Sequence, residues 1–266
     1  MSGTVITAAE KRGPSAVQRL TALARAELAL LGRNRGVVLT ALIVPLTVPF
    51  SLRGAVNTMD LRQAGLTVGA VMLTAALGFT FLFAVYTALV NAYVARREEL
   101  VLKRLRTGEL SDTEILTGTA VPAVSLGFAQ ALLLCAGCAV LLRTGPPKAP
   151  HLMVLGVVAG LVLSAALAAL TASFTRSVES AQVTALPLVF VSMIGSGIMF
   201  PAEMMPDGLA RICAFLPLSP ALRLVSGGLT GSMSAYEALG AVAGALAWVI
   251  VAVFAVHRWF RWEPRR

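Results

Sequence analysis

The chain has 266 residues, of which 57% are hydrophobic and only 13% are charged, with a net charge of +9. Soluble domains usually carry about a quarter charged residues, so this composition excludes a water-soluble globule and predicts an all-α integral membrane protein. Basic loops beside anionic lipid headgroups explain the positive charge, which makes membrane lipid a partner and gives no reason to expect nucleic-acid binding.

The N-terminal segment is predicted to lie outside the bilayer. Residues 1–14 are small and polar without periodicity, so we expect a disordered tail. Ser15 and Gln18 form a capping-box pattern, and residues 15–35 place apolar side chains on one face and arginines on the others. This pattern predicts an amphipathic helix in the membrane interface, with an ordinary soluble helix as the alternative.

Six windows without Lys, Arg, Asp or Glu predict six transmembrane helices between residues 36 and 257. A spanning helix needs about 20 mostly apolar residues, and every window after the first meets that length. The first window is shorter and contains Pro45 and Pro49. The predicted spans are residues 36–52, 66–94, 112–142, 152–174, 181–199 and 238–256.

The positions of Lys and Arg predict that both termini are cytoplasmic. With the N-terminus inside, 16 of the 22 basic residues fall on the cytoplasmic side and the other six on the outer side. Cytoplasmic loops of membrane proteins carry this excess of positive charge. Residues 258–266 then form a basic cytoplasmic tail, in which Trp259 and Trp262 anchor the end of the last span at the interface.

A charged stretch at residues 96–122 separates the second and third predicted spans. Leucines at helical spacing predict a short amphipathic helix at about 97–107, and Gly108 is a suitable residue to end it. Ser111 and Glu114 have capping-box spacing and predict the start of the next helix. A solvated loop without any partner fits the same charges.

The segment between the fifth and sixth spans is rich in proline. Prolines divide residues 200–222 into apolar pieces too short to cross a bilayer, because ten helical residues reach only about 15 Å. Such a piece predicts a re-entrant or interfacial hairpin on the outer side. The residues that characterise it are Phe200, Pro201, Glu203, Pro206, Pro217 and Arg223.

Small residues recur at four-residue spacing in two of the predicted spans. Gly156, Gly160 and Ser164 follow this spacing in the fourth span, and Gly240 and Gly244 follow it in the sixth. Small residues in this register let two helix backbones approach closely, so both faces are predicted to pack helices, either within one chain or between two.

The sequence predicts no catalytic residue and no metal or cofactor bound by this chain. It contains no G-x-x-x-x-G-K-[ST] phosphate loop, and its two histidines lie far apart. No Asp, Glu, Lys or Arg lies within the core of a predicted span, whereas ion-coupled carriers usually have such a residue there. Energy for any transport is therefore expected to come from outside the bilayer, and residues 96–122 are the surface that could receive it.

Four features together resemble the membrane subunit of an ABC-2 type transporter, a class that includes bacterial drug and polysaccharide exporters. They are an amphipathic N-terminal helix before the first span, six spans with both ends inside, the loop RREELVLKRLRTGELSDTEILTG at 96–118, and FPAEMMP at 200–206 followed by LPLSPALR at 216–223. The resemblance covers nearly the whole chain.

The resemblance implies a machine of several subunits in the bacterial cytoplasmic membrane. Two copies of a separate ATPase subunit would bind ATP and Mg²⁺, and a second permease, either an identical copy or a paralogue, would complete a homodimer or heterodimer. A coupling helix at about 97–107 would seat in a groove of the ATPase. The residues expected to contact it are Arg97, Glu98, Glu99, Leu102, Lys103, Arg104, Leu105 and Arg106.

The function implied by this resemblance is ATP-driven export of a hydrophobic or amphiphilic substrate, such as a drug-like compound or a lipid. Two alternatives remain open from the residues alone. One is a secondary carrier driven by a gradient, and the other is a membrane sensor or anchor that transports nothing.

Overall fold

The computed structural model describes residues 65–107, 111–142, 145–260 and 262, together with six isolated positions between 47 and 61. The predicted tail at 1–14 and interfacial helix at 15–35 lie outside the described residues, as do nearly all of the first predicted span and most of the basic tail. The described residues form an all-helical protein, which confirms the predicted fold class.

The described helices follow one another with short connections. In chain order they are α1 (Val68–Glu98), α2 (Val101–Arg106), α3 (Asp112–Leu141), α4 (Pro150–Phe174), α5 (Val178–Gly195), α6 (Asp207–Ala214), α7 (Ser219–Thr230) and α8 (Ala235–Trp259). Five of them, namely α1, α3, α4, α5 and α8, are long and apolar enough to cross a membrane. They match the second to sixth predicted spans to within a few residues at each end.

Capping boxes explain why two helices begin earlier than predicted. Ser177 caps α5, and Ser234 caps α8 by exchanging hydrogen bonds with Glu237. The prediction started both spans after the nearest carboxylate, whereas Glu179 and Glu237 belong to the first helical turn. A carboxylate is favourable there because the first backbone N–H groups are unpaired and the helix dipole is positive at that end. The predicted box of Ser111 and Glu114 is confirmed.

The helix α1 forms the centre of the bundle. Of its most apolar window, 89% is buried, against 28% for α3 and α5 and 22% for α8. Its middle, Thr80–Thr87, is a π-helix, whose wider turn needs extra room. Glycines of two neighbours provide that room, because a Cβ on Gly127 of α3 would clash with Val85 and one on Gly160 of α4 would clash with Phe81.

The helices α4 and α7 touch backbone to backbone through one glycine from each. A Cβ on Gly156 of α4 would lie 2.8 Å from the carbonyl oxygen of Ala221 and 2.8 Å from the amide nitrogen of Val225. In return, a Cβ on Gly228 of α7 would lie 2.5 Å from the amide nitrogen of Met153. The small-residue face of α4 therefore packs within the chain, and Ser164 on the same face is fully buried.

The second predicted packing face behaves differently. Gly244 of α8 approaches the ring of Pro220, whereas a Cβ on Gly240 would meet nothing within 4 Å. Gly240 therefore packs against no helix among the described residues, and the alternative that this face packs between two chains stays a prediction.

The segment predicted as a hairpin at residues 200–222 is longer and more deeply buried than expected. The helices α6 and α7 form a pair bent by 114°, but α7 does not stop at residue 222. It continues to Thr230, where Gly231 ends it at a φ of 68°. Leu218, Leu222 and Leu224 are buried, so α7 belongs to the bundle and only α6 lies at its periphery.

Candidate functional site

One end of the bundle carries most of the positive charge. The last turns of α1, α4 and α8 and the first turns of α3 and α5 meet there, and Phe174 contacts Trp259 with ring centroids 5.9 Å apart. We call it the basic end, because it holds seven of the basic residues described within the bundle against three at the opposite end. The seven are Arg96, Arg97, Lys103, Arg104, Arg106, Arg176 and Arg258.

The chain turns sharply at the basic end between α1 and α2. Leu100 has a φ of 59°, and it is the only described residue other than glycine in the left-handed region. The prediction of one helix over 97–107 is therefore wrong, because α1 ends at Glu98 and α2 starts at Val101. A left-handed leucine costs about 1–2 kcal/mol. Burial of Leu102, which the turn directs into the bundle, contributes about 1.5–3 kcal/mol and offsets that cost.

Arg97 lies inside the protein, which corrects the prediction that it contacts an ATPase. Its side chain is 1% exposed. Its guanidinium donates hydrogen bonds to the carbonyl oxygens of Ala172 at 2.9 Å, Thr175 at 2.6 Å and Arg176 at 3.3 Å. These carbonyls belong to the end of α4 and the residues after it. Helix ends leave such carbonyls without a partner inside the helix, and Arg97 supplies one.

Glu98 is also engaged within the chain, although it lies at the surface. One carboxylate oxygen accepts a hydrogen bond of 3.1 Å from the backbone N–H of Val178, the first residue of α5. Within the chain this carboxylate caps a neighbouring helix, and the predicted contact of the exposed Glu98 with the ATPase stays a prediction.

The short helix α2 has an inner and an outer face. Leu102 is fully buried and Leu105 is half-buried, and α2 packs on α1 and α3. The predicted role of Leu102 in filling a groove of another subunit is therefore wrong, since it fills a space in its own bundle. Lys103 and Arg104 point outward and are exposed.

Arg106 ties α2 to the start of α3. Its Nε lies 3.0 Å from a carboxylate oxygen of Asp112, and its guanidinium carbon lies 5.0 Å from the ring centroid of Trp262. Both side chains of the ion pair are partly exposed, so it contributes at most about 1 kcal/mol.

The exposed residues around the turn form one patch, which we call the α2 surface and define as Glu99, Leu100, Lys103 and Arg104. Leu100 is 39% exposed, so an apolar side chain stands among three charged ones. Leu100 is not among the residues predicted to contact the ATPase. No sequence signal marks it, because nothing in the residue type predicts a left-handed conformation.

The opposite end contains a polar cavity of about 580 Å³ between α5, α6, α7 and the start of α8. Charged residues of both signs line it, namely Glu203, Asp207, Arg211, Arg223 and Glu237. Of the predicted hairpin residues, Glu203 and Arg223 meet in this cavity, and Glu203 accepts a hydrogen bond of 2.9 Å from the hydroxyl of Ser226. The others lie outside it: Phe200 and Pro206 are exposed, Pro217 is half-buried and Pro201 is buried.

An apolar groove of about 470 Å³ lies between α3, α4 and α8. Its walls are mostly valine and alanine, and its end nearest the basic end is polar, with Asp112, Thr113 and His257. Within the described ranges, no group of three or more His, Cys, Asp or Glu could hold a metal ion.

A comparison with models of known families identifies the family of the chain. The model of the family described as ABC-2 type transporter matches residues 18–230, which is most of the chain. A search of curated proteins finds no significant match. Membership of this family implies in general an ABC ATPase partner and a dimeric arrangement of permeases. The chain therefore belongs to the ABC-2 type transporter family and is a multi-pass membrane permease subunit of an ABC-type transporter.

Proposed function

We propose that this permease exports a hydrophobic or amphiphilic substrate across the bacterial cytoplasmic membrane, driven by a separate ATPase chain that docks on the α2 surface. The observation that carries the proposal is the α2 surface itself. It is an exposed patch of mixed charge and apolar character, held on a helix whose inner face is anchored in the bundle. The basic end is then cytoplasmic, in agreement with the positive-inside rule.

The α2 surface has the features of a docking site for a protein groove. Leu100 has an apolar side chain that is partly exposed and would be shielded from water in a groove of the partner. Its left-handed backbone conformation is unfavourable for leucine, and such strained conformations concentrate at functional positions. Lys103 and Arg104 flank it on α2. A complementary groove would provide an apolar pocket for Leu100 and acidic side chains for Lys103 and Arg104.

A separate ATPase chain would supply the energy. The sequence contains no phosphate loop, so ATP and Mg²⁺ would bind to the partner. Two ATPases and two permeases would form the complete transporter, with the second permease either identical or a paralogue. The faces of α3, α5 and α8 that remain exposed are available to lipid and to that second permease.

The apolar groove supports the proposed substrate class. Its volume of about 470 Å³ suits a drug-sized molecule or part of a lipid. Its valine and alanine walls suit an apolar body, and the polar group of Asp112, Thr113 and His257 at one end suits the head of an amphiphile.

Reconstitution into liposomes tests the proposed function. The permease would be purified together with the ABC ATPase that co-purifies with it and placed in vesicles that contain a fluorescent short-chain phospholipid or a lipophilic dye. We expect ATP-dependent movement of the probe away from the ATPase side, and no movement with the permease alone.

Two results would contradict the proposal. Probe flux driven by an ion gradient, with no ATPase present, would establish a secondary carrier. A permease that binds no ATPase and moves neither probe would indicate a sensor or anchor.

A further inference from the structure

Two adjacent residues of α1 hold the turn between α4 and α5 from both sides. Arg97 binds the carbonyl oxygens of Ala172 and Thr175 at the end of α4, while Glu98 binds the N–H of Val178 at the start of α5. The positive guanidinium therefore meets the negative end of one helix, and the negative carboxylate meets the positive end of the next. Both pairings are favourable with the helix dipoles.

We propose that Arg97 and Glu98 form a clasp that joins the α1–α2 corner to the α4–α5 turn, so that the two move as one body. This inference rests on the proposed function in one respect, namely that an ATPase displaces α2. The clasp then passes that displacement directly to α5, in addition to the helices α1 and α3 that α2 contacts. Arg97 and Glu98 act as positioning residues in this step and do not touch the substrate.

The buried half of the clasp is the stiffer one. Arg97 is almost completely shielded from water, and hydrogen bonds from a charged donor are roughly twice as strong as those between neutral groups. The planar guanidinium reaches carbonyls of α4 and of the following turn simultaneously. A lysine could keep the charge but could not reproduce this fork.

The helix α5 connects the clasp to the polar cavity at the opposite end of the bundle. Only 28% of its apolar window is buried, so it is held less firmly than α1. Its far end leads to Ser196, whose hydroxyl accepts a hydrogen bond of 3.1 Å from Ser219 at the start of α7. Gly195 and Ser196 line the outer polar cavity. Displacement of α5 at the basic end therefore reaches the cavity at the other end.

Distance measurements between spin labels test the clasp in the permease alone. Cys135, Cys138 and Cys213 would be replaced by serine, and labels placed at Thr107 after α2 and at Glu179 in the first turn of α5. We expect one narrow distance distribution. In Arg97→Met and in Glu98→Ala the distance distribution should broaden by up to one helical turn, about 5.4 Å. The reason is that the end of α4 or the start of α5 can fray once the side chain that binds it has been removed.

Matched variants separate the clasp from a general effect of charge. Arg176→Met removes an exposed arginine of the same turn and should leave the distribution narrow, while Arg97→Lys should give an intermediate width. If Arg97→Met does not insert, Glu98→Ala and Arg97→Lys still decide the result. Distributions as narrow as in the unmodified chain, or equal broadening by Arg176→Met, would overturn the proposal.

A second label pair, Glu179 and Arg258 at the end of α8, tests transmission in the complex with the ATPase. Trapping with ATP and vanadate should shift this distance, and Arg97→Met should lose the shift while ATP hydrolysis continues. A shift that persists in Arg97→Met would refute the transmission role. If the unmodified complex shows no shift but the clasp variants still broaden the first distance, the proposed ATPase coupling fails and the clasp stands.

Discussion

Replacement of Gly156 by alanine is expected to lower the thermal unfolding temperature of the detergent-solubilised permease by roughly 5–10 °C. The added side chain would meet the backbone of Ala221 and Val225, whose atoms can yield only if the whole of α7 moves. Overpacking of this kind costs about 1–3 kcal/mol and sometimes more. The measurement is the fraction of protein that remains monodisperse on size exclusion after heating.

Gly240→Ala is the matched control for that experiment. It adds a methyl group to a glycine in another spanning helix, at a position where nothing lies within 4 Å. An alanine inside a helix is favoured over glycine by about 0.5–1 kcal/mol, so the unfolding temperature should stay the same or rise slightly. Equal losses in both variants would mean that α4 and α7 are not in close contact.

Charge reversal on the α2 surface is expected to abolish ATP-driven transport. In Lys103→Glu combined with Arg104→Glu, two outward-facing cations are replaced by carboxylates, which would be repelled by the acidic groove proposed for the ATPase. Loss of a desolvated charge pair costs about 2–5 kcal/mol, which corresponds to a loss of association of roughly 30-fold or more. Both side chains are exposed, so membrane insertion should not change. Co-purification of the ATPase and vesicle transport are the two measurements.

Arg258→Glu provides the comparison for the α2 surface. This arginine is exposed at the same basic end but belongs to α8. Its reversal should leave association with the ATPase intact. If the double variant on α2 still binds the ATPase and transports normally, or if Arg258→Glu is equally harmful, the docking site lies elsewhere.

The sequence predicted the spanning helices well because burial in lipid demands long uncharged segments, and such segments are visible without any contact information. The predicted starts of α5 and α8 were too late for the same reason. The spans were predicted from segments without charged residues, which excludes a glutamate in the first helical turn such as Glu237. The packing face of α4 was also predictable, because small residues at four-residue spacing let helix backbones approach closely. The same spacing in α8 leaves Gly240 without a neighbour among the described residues, so the spacing alone does not say where the partner helix lies.

The details of the basic end could not be read from the sequence. Arg97 and Arg104 are both arginines in one charged loop, yet one is buried and the other is exposed. The difference arises from the carbonyl groups at the end of α4, which are far away in the chain. The left-handed turn at Leu100 likewise follows from tertiary packing of Leu102 and not from local preference.

The π-helix in the middle of α1 has a consequence for the length of the chain. A π-helix holds more residues per turn than an α-helix, so a residue removed between Thr80 and Thr87 can be absorbed when this stretch relaxes to α-helical winding. The α-helical part Ala88–Glu98 has no such reserve, and each of its residues advances the helix by about 100°. A residue removed there would rotate everything beyond it by that angle, and Arg97 would no longer face α4. The number of residues between the π-helix and Arg97 is thus constrained as tightly as their identity, so insertions and deletions among relatives should be absent from this part of α1.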